Sequence, residues 1–404
     1  MISHDPRREV EKLREHLGTP DGTLTFLVGA GASCAAKATD GDGLIPAIAD
    51  MNRRCEQAVA EFGSDEWVAY VAIAEECGRS LTRAANVEDV LSRVRTKLSA
   101  MEHGDTLAGA TRAQLETVEE AIRTTIAHAA RPAEDRIPIV LPHHALARWI
   151  SRLDRGSPIE LFTTNYDTLL ERALEDERVA VFDGFTGSRR PYFSPVSMAH
   201  PPSMPGSGWT RLWKLHGSVN WSWESFSGNT SRRIVRGDER GDGELIFPSL
   251  HKYDESRKQP YISMLDHFGR TLERSAGTVL VVVGYSFGDE HINEIIFDAL
   301  DAHDRTHVIA LQYEELDDDH ELVSRAARRR NLLVYGPGTA VVAGELRPWA
   351  LADPVDSRTA ELLDIPFDSD AVPDTDAIAT SGRFRLGDFN YFARFLNSIA
   401  GDDD

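Results

Sequence analysis

An open, doubly wound α/β sheet is the fold this sequence predicts, on three observations. Apolar runs of strand length recur along the chain, with helix-period segments between several of them. One run, Val279-Leu280-Val281-Val282-Val283, is apolar at every position, as suits a strand buried on both faces of a parallel sheet. Small or polar residues, among them Gly29, Asn165, His216 and Gly284, follow directly on such runs, where open α/β sheets hold ligands.

In chain order, residues 7–17 place Val10, Leu13 and Leu17 at helical spacing between charges, a short amphipathic helix. Leu24-Thr25-Phe26-Leu27-Val28 then ends at Gly29-Ala30-Gly31-Ala32-Ser33, a strand running into a glycine turn. From 47 to 152 the chain is rich in Ala, Glu and Arg, with Val87, Val90, Leu91, Val94 and Leu98 three or four apart. This reads as an inserted helical module of four to six helices. Pro132, Pro138 and Pro142 break its last part before a helix at 143–153. Strand runs return at 158–163, 210–215, 244–247, 278–284, 307–311 and 331–335, with helical patterns at 261–274 and 290–302. The alternation predicts a Rossmann-like, mostly parallel sheet. Residues 186–209, rich in proline, and 225–243, polar with four glycines, read as a lid and a solvent hairpin or as disordered loops. Residues 384–398 concentrate Phe384, Phe389, Tyr391, Phe392, Phe395 and Leu396, a helix that docks on the parent domain or on another subunit. We divide the chain into a main domain over 1–340 and a C-terminal extension over 341–404.

The chain has 404 residues, 41% of them hydrophobic, enough to bury a substantial core. Its net charge of −21 argues against a broad nucleic-acid face. The runs Arg328-Arg329-Arg330 and Arg232-Arg233 read as solvated faces rather than phosphate contacts. The acidic residues 401–404 read as a frayed tail. Three cysteines without a close paired spacing point to a reducing setting. No apolar run approaches the ~18 residues of a membrane helix, and the start lacks a signal-type apolar stretch, so we expect a cytoplasmic protein with no membrane contact.

The chemistry gathers in four segments. In FLVGAGAS, Gly29 and Gly31 allow backbone N–H groups to approach a pyrophosphate, although the acidic residue of a dehydrogenase fingerprint is missing. In LFTTNYDTLLE, Asn165 can fix a ribose hydroxyl or a water, and Asp167 can cap the next helix or contact the loop or ligand. In RLWKLHGSVNW, His216 at a strand end is either a structural histidine or a base for a sugar hydroxyl. In VVVGYSFGDEHIN, Gly284 permits close approach, Ser286 can reach ribose hydroxyls, and Asp289 caps a helix or joins them.

GAGAS, TTNYD, KLHGS and GYSFGD, in that order, resemble the sirtuin superfamily over approximately residues 23–336, closest to the sirtuin-like domains of bacterial antiphage systems. Gly43-Leu44-Ile45-Pro46 and residues 247–261 also look like parts of that family. The resemblance implies NAD⁺ as substrate, with Asn165 positioning the ribose and the attacking water and His216 as general base. It implies that Gly29, Ala30, Gly31 and Ser33 hold the pyrophosphate and that Gly284 and Ser286 lie on the adenosine side. Pro46, Thr164, Asp167 and Asp289 complete the implied binding set.

Two departures bear on the reaction. Deacylating sirtuins carry four zinc-binding cysteines after the catalytic histidine, whereas no cysteine follows Cys77 here, so there is no zinc ribbon and no metal is expected. Where they carry an Asp, a Phe and an Arg beyond the loop proline, this chain reads Ala47-Ile48-Ala49. With no acyl-lysine, water is the nucleophile, and the expectation is hydrolysis of NAD⁺ to nicotinamide and ADP-ribose. A zinc-free deacylase and a non-catalytic module that binds NAD⁺ or ADP-ribose are the rival readings. The resemblance further implies NAD⁺ depletion in antiphage defence (abortive infection), homo-oligomers, and a trigger from another protein, for which a HerA-like hexameric ATPase is the favoured candidate.

Overall fold

The computed structural model describes residues 3–19, 22–80, 85–107, 109–199, 201–225, 232–238, 244–245, 259–274, 277–351, 357–369 and 381–400. Strands form where the apolar runs stand. We number those of the large sheet β1 (Thr23–Val28), β2 (Glu160–Thr163), β3 (Val181–Phe182), β4 (Thr210–Lys214), β5 (Thr278–Val283), β6 (Thr306–Leu311), β7 (Leu332–Tyr335), β8 (Thr339–Val342) and β9 (Glu345–Pro348). Among the described residues these nine form one sheet in the order β9-β8-β7-β6-β5-β1-β2-β4-β3. Every pairing from β3 to β7 is parallel, and β8 and β9 add an antiparallel hairpin. The chain leaves β1 towards β2 on one side and meets β5 on the other, so the strand order reverses between β1 and β5. That is the topological switch point of a doubly wound, Rossmann-like sheet.

Side chains alternate across this sheet with the period of two that a strand imposes. Leu24, Phe26 and Val28 of β1 face one apolar layer, built with helices Pro6–Gly18, Pro142–Ser151, Leu169–Asp176 and Phe389–Ile399. Leu27 faces the other, built with Tyr261–Leu272, Glu290–Ala302 and Glu321–Ala326. The aromatic C-terminal stripe lies in the first layer. Phe392 packs 6.4 Å from Phe26, and Phe389, Phe395 and Leu396 are buried beside them, so this helix covers its own sheet.

Helices Ile48–Phe62, Ser64–Ser80, Val87–Ser99 and Arg112–Ala129 share a separate core that includes Cys55, Val59, Ile73, Leu91, Val94, Leu115 and Ile122. Two of them start at capping boxes, Asn86 with Asp89 and Thr111 with Gln114, which satisfy N–H groups that have no partner inside the helix. Val219, just after His216, is buried in this core, and Tyr166, beside Asn165, packs against it. The helix Pro142–Ser151 packs instead on Leu169–Asp176 and Phe389–Ile399 over the sheet.

One expected strand is placed elsewhere. Glu244–Leu245 pairs antiparallel with Gly217–Ser218, apart from the large sheet, while residues 246–247 lie outside the described residues. The proline-rich stretch 186–209 supplies Tyr192–Phe193 to a small antiparallel sheet, ordered Trp221–Ser225, Arg232–Arg236, Tyr192–Phe193, Phe185–Thr186, and also the helix Pro195–Ala199. Phe193 and Met198 are buried there in the same apolar layer as Leu27 and Trp213, so the segment packs onto the second face of the large sheet. Of the expected hairpin at 225–243, the flanking strands are described, whereas 226–231 and 239–243 lie outside the described residues, as do 247–258 of the stretch 247–261 and the tail 401–404. Among the described residues no helix is long and apolar enough to cross a membrane.

Candidate active site at the carboxyl ends of β1, β2, β4 and β5

Register brings the four segments to one edge. Val28 pairs with Thr163 and with Val283, and Thr163 with Lys214, so the four strands end level. The residues that follow them lie along the carboxyl edge of the sheet, at and beside the switch point.

The glycines are explained first by one another. The N–H of Gly29 donates to the Val283 carbonyl at 3.0 Å and that of Gly31 to the Gly284 carbonyl at 2.8 Å. A Cβ on Gly29 would stand 2.4 Å from the Gly284 oxygen, and one on Gly31 2.7 Å from the Gly284 Cα. Gly284 has φ +66°, and a Cβ there would lie 2.6 Å from the Ala32 nitrogen. Two backbones thus touch where the sequence suggested room for a dinucleotide, and only glycine permits the contact. Gly284→Ala is expected to lower stability by more than the ~1–2 kcal/mol of a left-handed alanine, because the clash adds to the strain; chemical denaturation measures it. Ala30, Gly31 and Ser286 remain exposed at this edge.

Asn165, Asp167 and Ser33 form one buried cluster. Asn165 Nδ2 donates to the Gly29 carbonyl at 3.0 Å and to Ser33 Oγ at 2.7 Å, and Ser33 Oγ donates to Asp167 Oδ2 at 2.6 Å. Asp167 Oδ1 accepts from the Leu169 N–H at 3.1 Å, the first N–H of the helix whose N-cap is Thr168, so its carboxylate both braces the entry to the helix and fixes Ser33. Asn165 Oδ1 is buried and has no hydrogen-bond partner. Such an acceptor costs stability unless something else satisfies it. Thr164 is half-buried and gives its N–H to Val28. Pro46 lies across the turn, its carbonyl 3.9 Å from Cys34 Sγ, on a loop whose Leu44 and Ile45 pack against Leu141 and Leu169. Burial, and then the Asp167 charge, push the Cys34 thiol up, which disfavours its thiolate.

His216 and Asp289 form a second cluster. His216 Nε2 lies 2.9 Å from Asp289 Oδ2, and both residues are buried. The Tyr166 ring centroid is 6.2 Å from that of His216, and Tyr166 follows Asn165 in the chain.

Lys214 was not among the residues singled out from sequence. It is buried, donates to Glu171 at 2.9 Å and to the Asp167 carbonyl, and so fastens the loop that carries Asn165. Burial raises the Glu171 carboxyl and the Lys214 charge opposes that rise. The available signal was a lysine inside the otherwise apolar run Leu212-Trp213-Lys214-Leu215.

Away from this edge, Arg329 pairs with Asp301, and Arg325 and Arg329 lie over the Phe297 ring. Arg233 lies over Tyr192. Among the described residues no three His, Cys, Asp or Glu side chains stand close enough to hold a metal ion.

The fold is a doubly wound α/β sheet, with the four segments gathered along its carboxyl edge. Residues 159–334, which include Asn165, His216, Gly284 and Asp289, match a family model described as a SIR2-like domain. The match supports a sirtuin-like domain and, in general terms, NAD-dependent chemistry. No curated protein matches the chain.

Proposed function

We propose that this chain is an NAD⁺ glycohydrolase, releasing nicotinamide and ADP-ribose. The observation that carries the proposal is Asn165 Oδ1, a buried acceptor without a protein partner, held rigid from its Nδ2 side and one residue from the ring that packs towards His216. An acceptor fixed in this way suits a ribose hydroxyl or a water. Scission of the nicotinamide–ribose bond leaves positive charge on the sugar, which a positioned hydroxyl and a nearby base help to stabilise. In this reading Asn165 orients, His216 accepts the hydroxyl proton, and the exposed backbone at Ala30 and Gly31 lies towards the phosphates.

The test is to incubate purified protein with NAD⁺ and follow nicotinamide, beside an acylated peptide. Nicotinamide release without peptide supports the proposal. Release that needs peptide favours a deacylase, and binding without turnover favours a regulatory module. We further propose a cytoplasmic homo-oligomer that depletes NAD⁺ in antiphage defence under control of a HerA-like hexameric ATPase. That partnership rests on the family resemblance and fails if the purified proteins form no stable co-complex.

A further inference from the structure

We infer that Asp289 is a positioning residue for His216 rather than a contact to the dinucleotide; the inference rests on the proposed cleavage of NAD⁺. Both carboxylate oxygens are committed within the protein. Oδ1 accepts from the His291 N–H at 3.1 Å, capping helix Glu290–Ala302, and Oδ2 lies 2.9 Å from His216 Nε2. The backbone of Asp289 is held as well. Its N–H lies 3.3 Å from the Tyr285 hydroxyl, which lies 3.2 Å from the Asp289 carbonyl and 3.1 Å from Asn293 Oδ1. A side chain fixed at both oxygens and at its main chain is poorly placed to turn towards a sugar.

The pair also spans the site. His216 follows β4 and Asp289 follows β5, three places apart in the order β5-β1-β2-β4. Strand spacing alone separates them by about 14 Å, so the two loops lean together over the ends of β1 and β2, where Gly29 and Asn165 stand. A carboxylate at one imidazole nitrogen keeps the proton there and stabilises the cation formed when the other nitrogen takes a second proton. With the carboxylate beside Nε2, this pairing assigns the first proton to Nε2 and the acceptance of the ribose hydroxyl proton to Nδ1. No bond to Asp289 is made or broken.

Asp289→Asn and Asp289→Ser test this, because both side chains retain a helix cap. Expected are a kcat for nicotinamide release about 10²–10⁴-fold below wild type, and a KM for NAD⁺ and an affinity for ADP-ribose within about threefold. A kcat near wild type, or KM and ADP-ribose affinity weakened in step with kcat, overturns the assignment. A second readout is independent of turnover. Imidazole ¹⁵N spectra, with His216 assigned from a His216→Gln sample, should show the Nε2–H tautomer in the wild type and a changed tautomer balance in Asp289→Asn. An Nδ1–H wild-type ring, or identical spectra, overturns the inference. A wild type that releases no nicotinamide but shows the Nε2–H ring and its change in Asp289→Asn defeats the cleavage reading and leaves the pairing supported.

Discussion

Alanine at Asn165 or at His216 is expected to lower nicotinamide release from NAD⁺ by about 10²–10⁴-fold, the range for losing a positioned hydrogen-bonding group or a proton-transfer group. The two substitutions should differ in how they do it. Asn165→Ala removes the donors to Gly29 and Ser33 as well as the unpartnered Oδ1, so folding stability falls by about 1–3 kcal/mol as buried partners are left unmatched. His216→Ala leaves the Asp289 carboxylate buried without its imidazole partner, whereas His216→Gln keeps a donor on that side and should be inactive with less loss of stability. Rates are therefore compared per folded molecule, with circular dichroism as the check on folding. Undiminished release in both alanine variants would remove Asn165 and His216 from the mechanism.

What the sequence made legible was the position of the site more than its wiring. β5 announces itself because a strand buried on both faces is nearly all apolar, and β1 because its apolar run stops at a glycine turn; the residues after them are then fixed to one edge of the sheet. The glycines stand at the strand ends where the sequence put them, and their partners there are other backbone atoms, a contact that depends on which strands become neighbours. The same holds for His216 and Asp289, 73 residues apart and joined only because the strand order brings their loops together. Short elements escaped for a different reason. β3 is two residues long, too short to show alternation, and the β8–β9 hairpin turns at Ala343-Gly344, with φ +54° and +86°, instead of the Asn-Gly pair that advertises such a turn. Glu244–Leu245 had the composition of a strand, and composition does not say which sheet a strand joins.

Glu160, at the opposite end of β2 from Asn165, carries the other large expected effect. It is fully buried, and its two oxygens meet four donors: Arg211 and Arg274 at 2.9 Å on Oε1, Trp213 Nε1 at 2.7 Å and His267 at 3.1 Å on Oε2. Burial alone would raise this carboxyl. The His267 hydrogen bond and charge, with the Arg211 charge and the Trp213 indole, reverse that and hold it at about 2. A folded-state value depressed from 4.5 to about 2 means stability that is present above the unfolded value and is lost as pH falls from about 4.5 through about 2. At ~1.4 kcal/mol per unit the loss is on the order of 3 kcal/mol. Glu160→Ala strands buried donors and at pH 7 should cost about 3–5 kcal/mol. Glu160→Gln keeps the shape without the charge, so its denaturation midpoint should change less between pH 5 and pH 2.5 than that of the wild type. If both proteins lose stability in parallel over that range, the carboxylate is not what the surrounding cations stabilise.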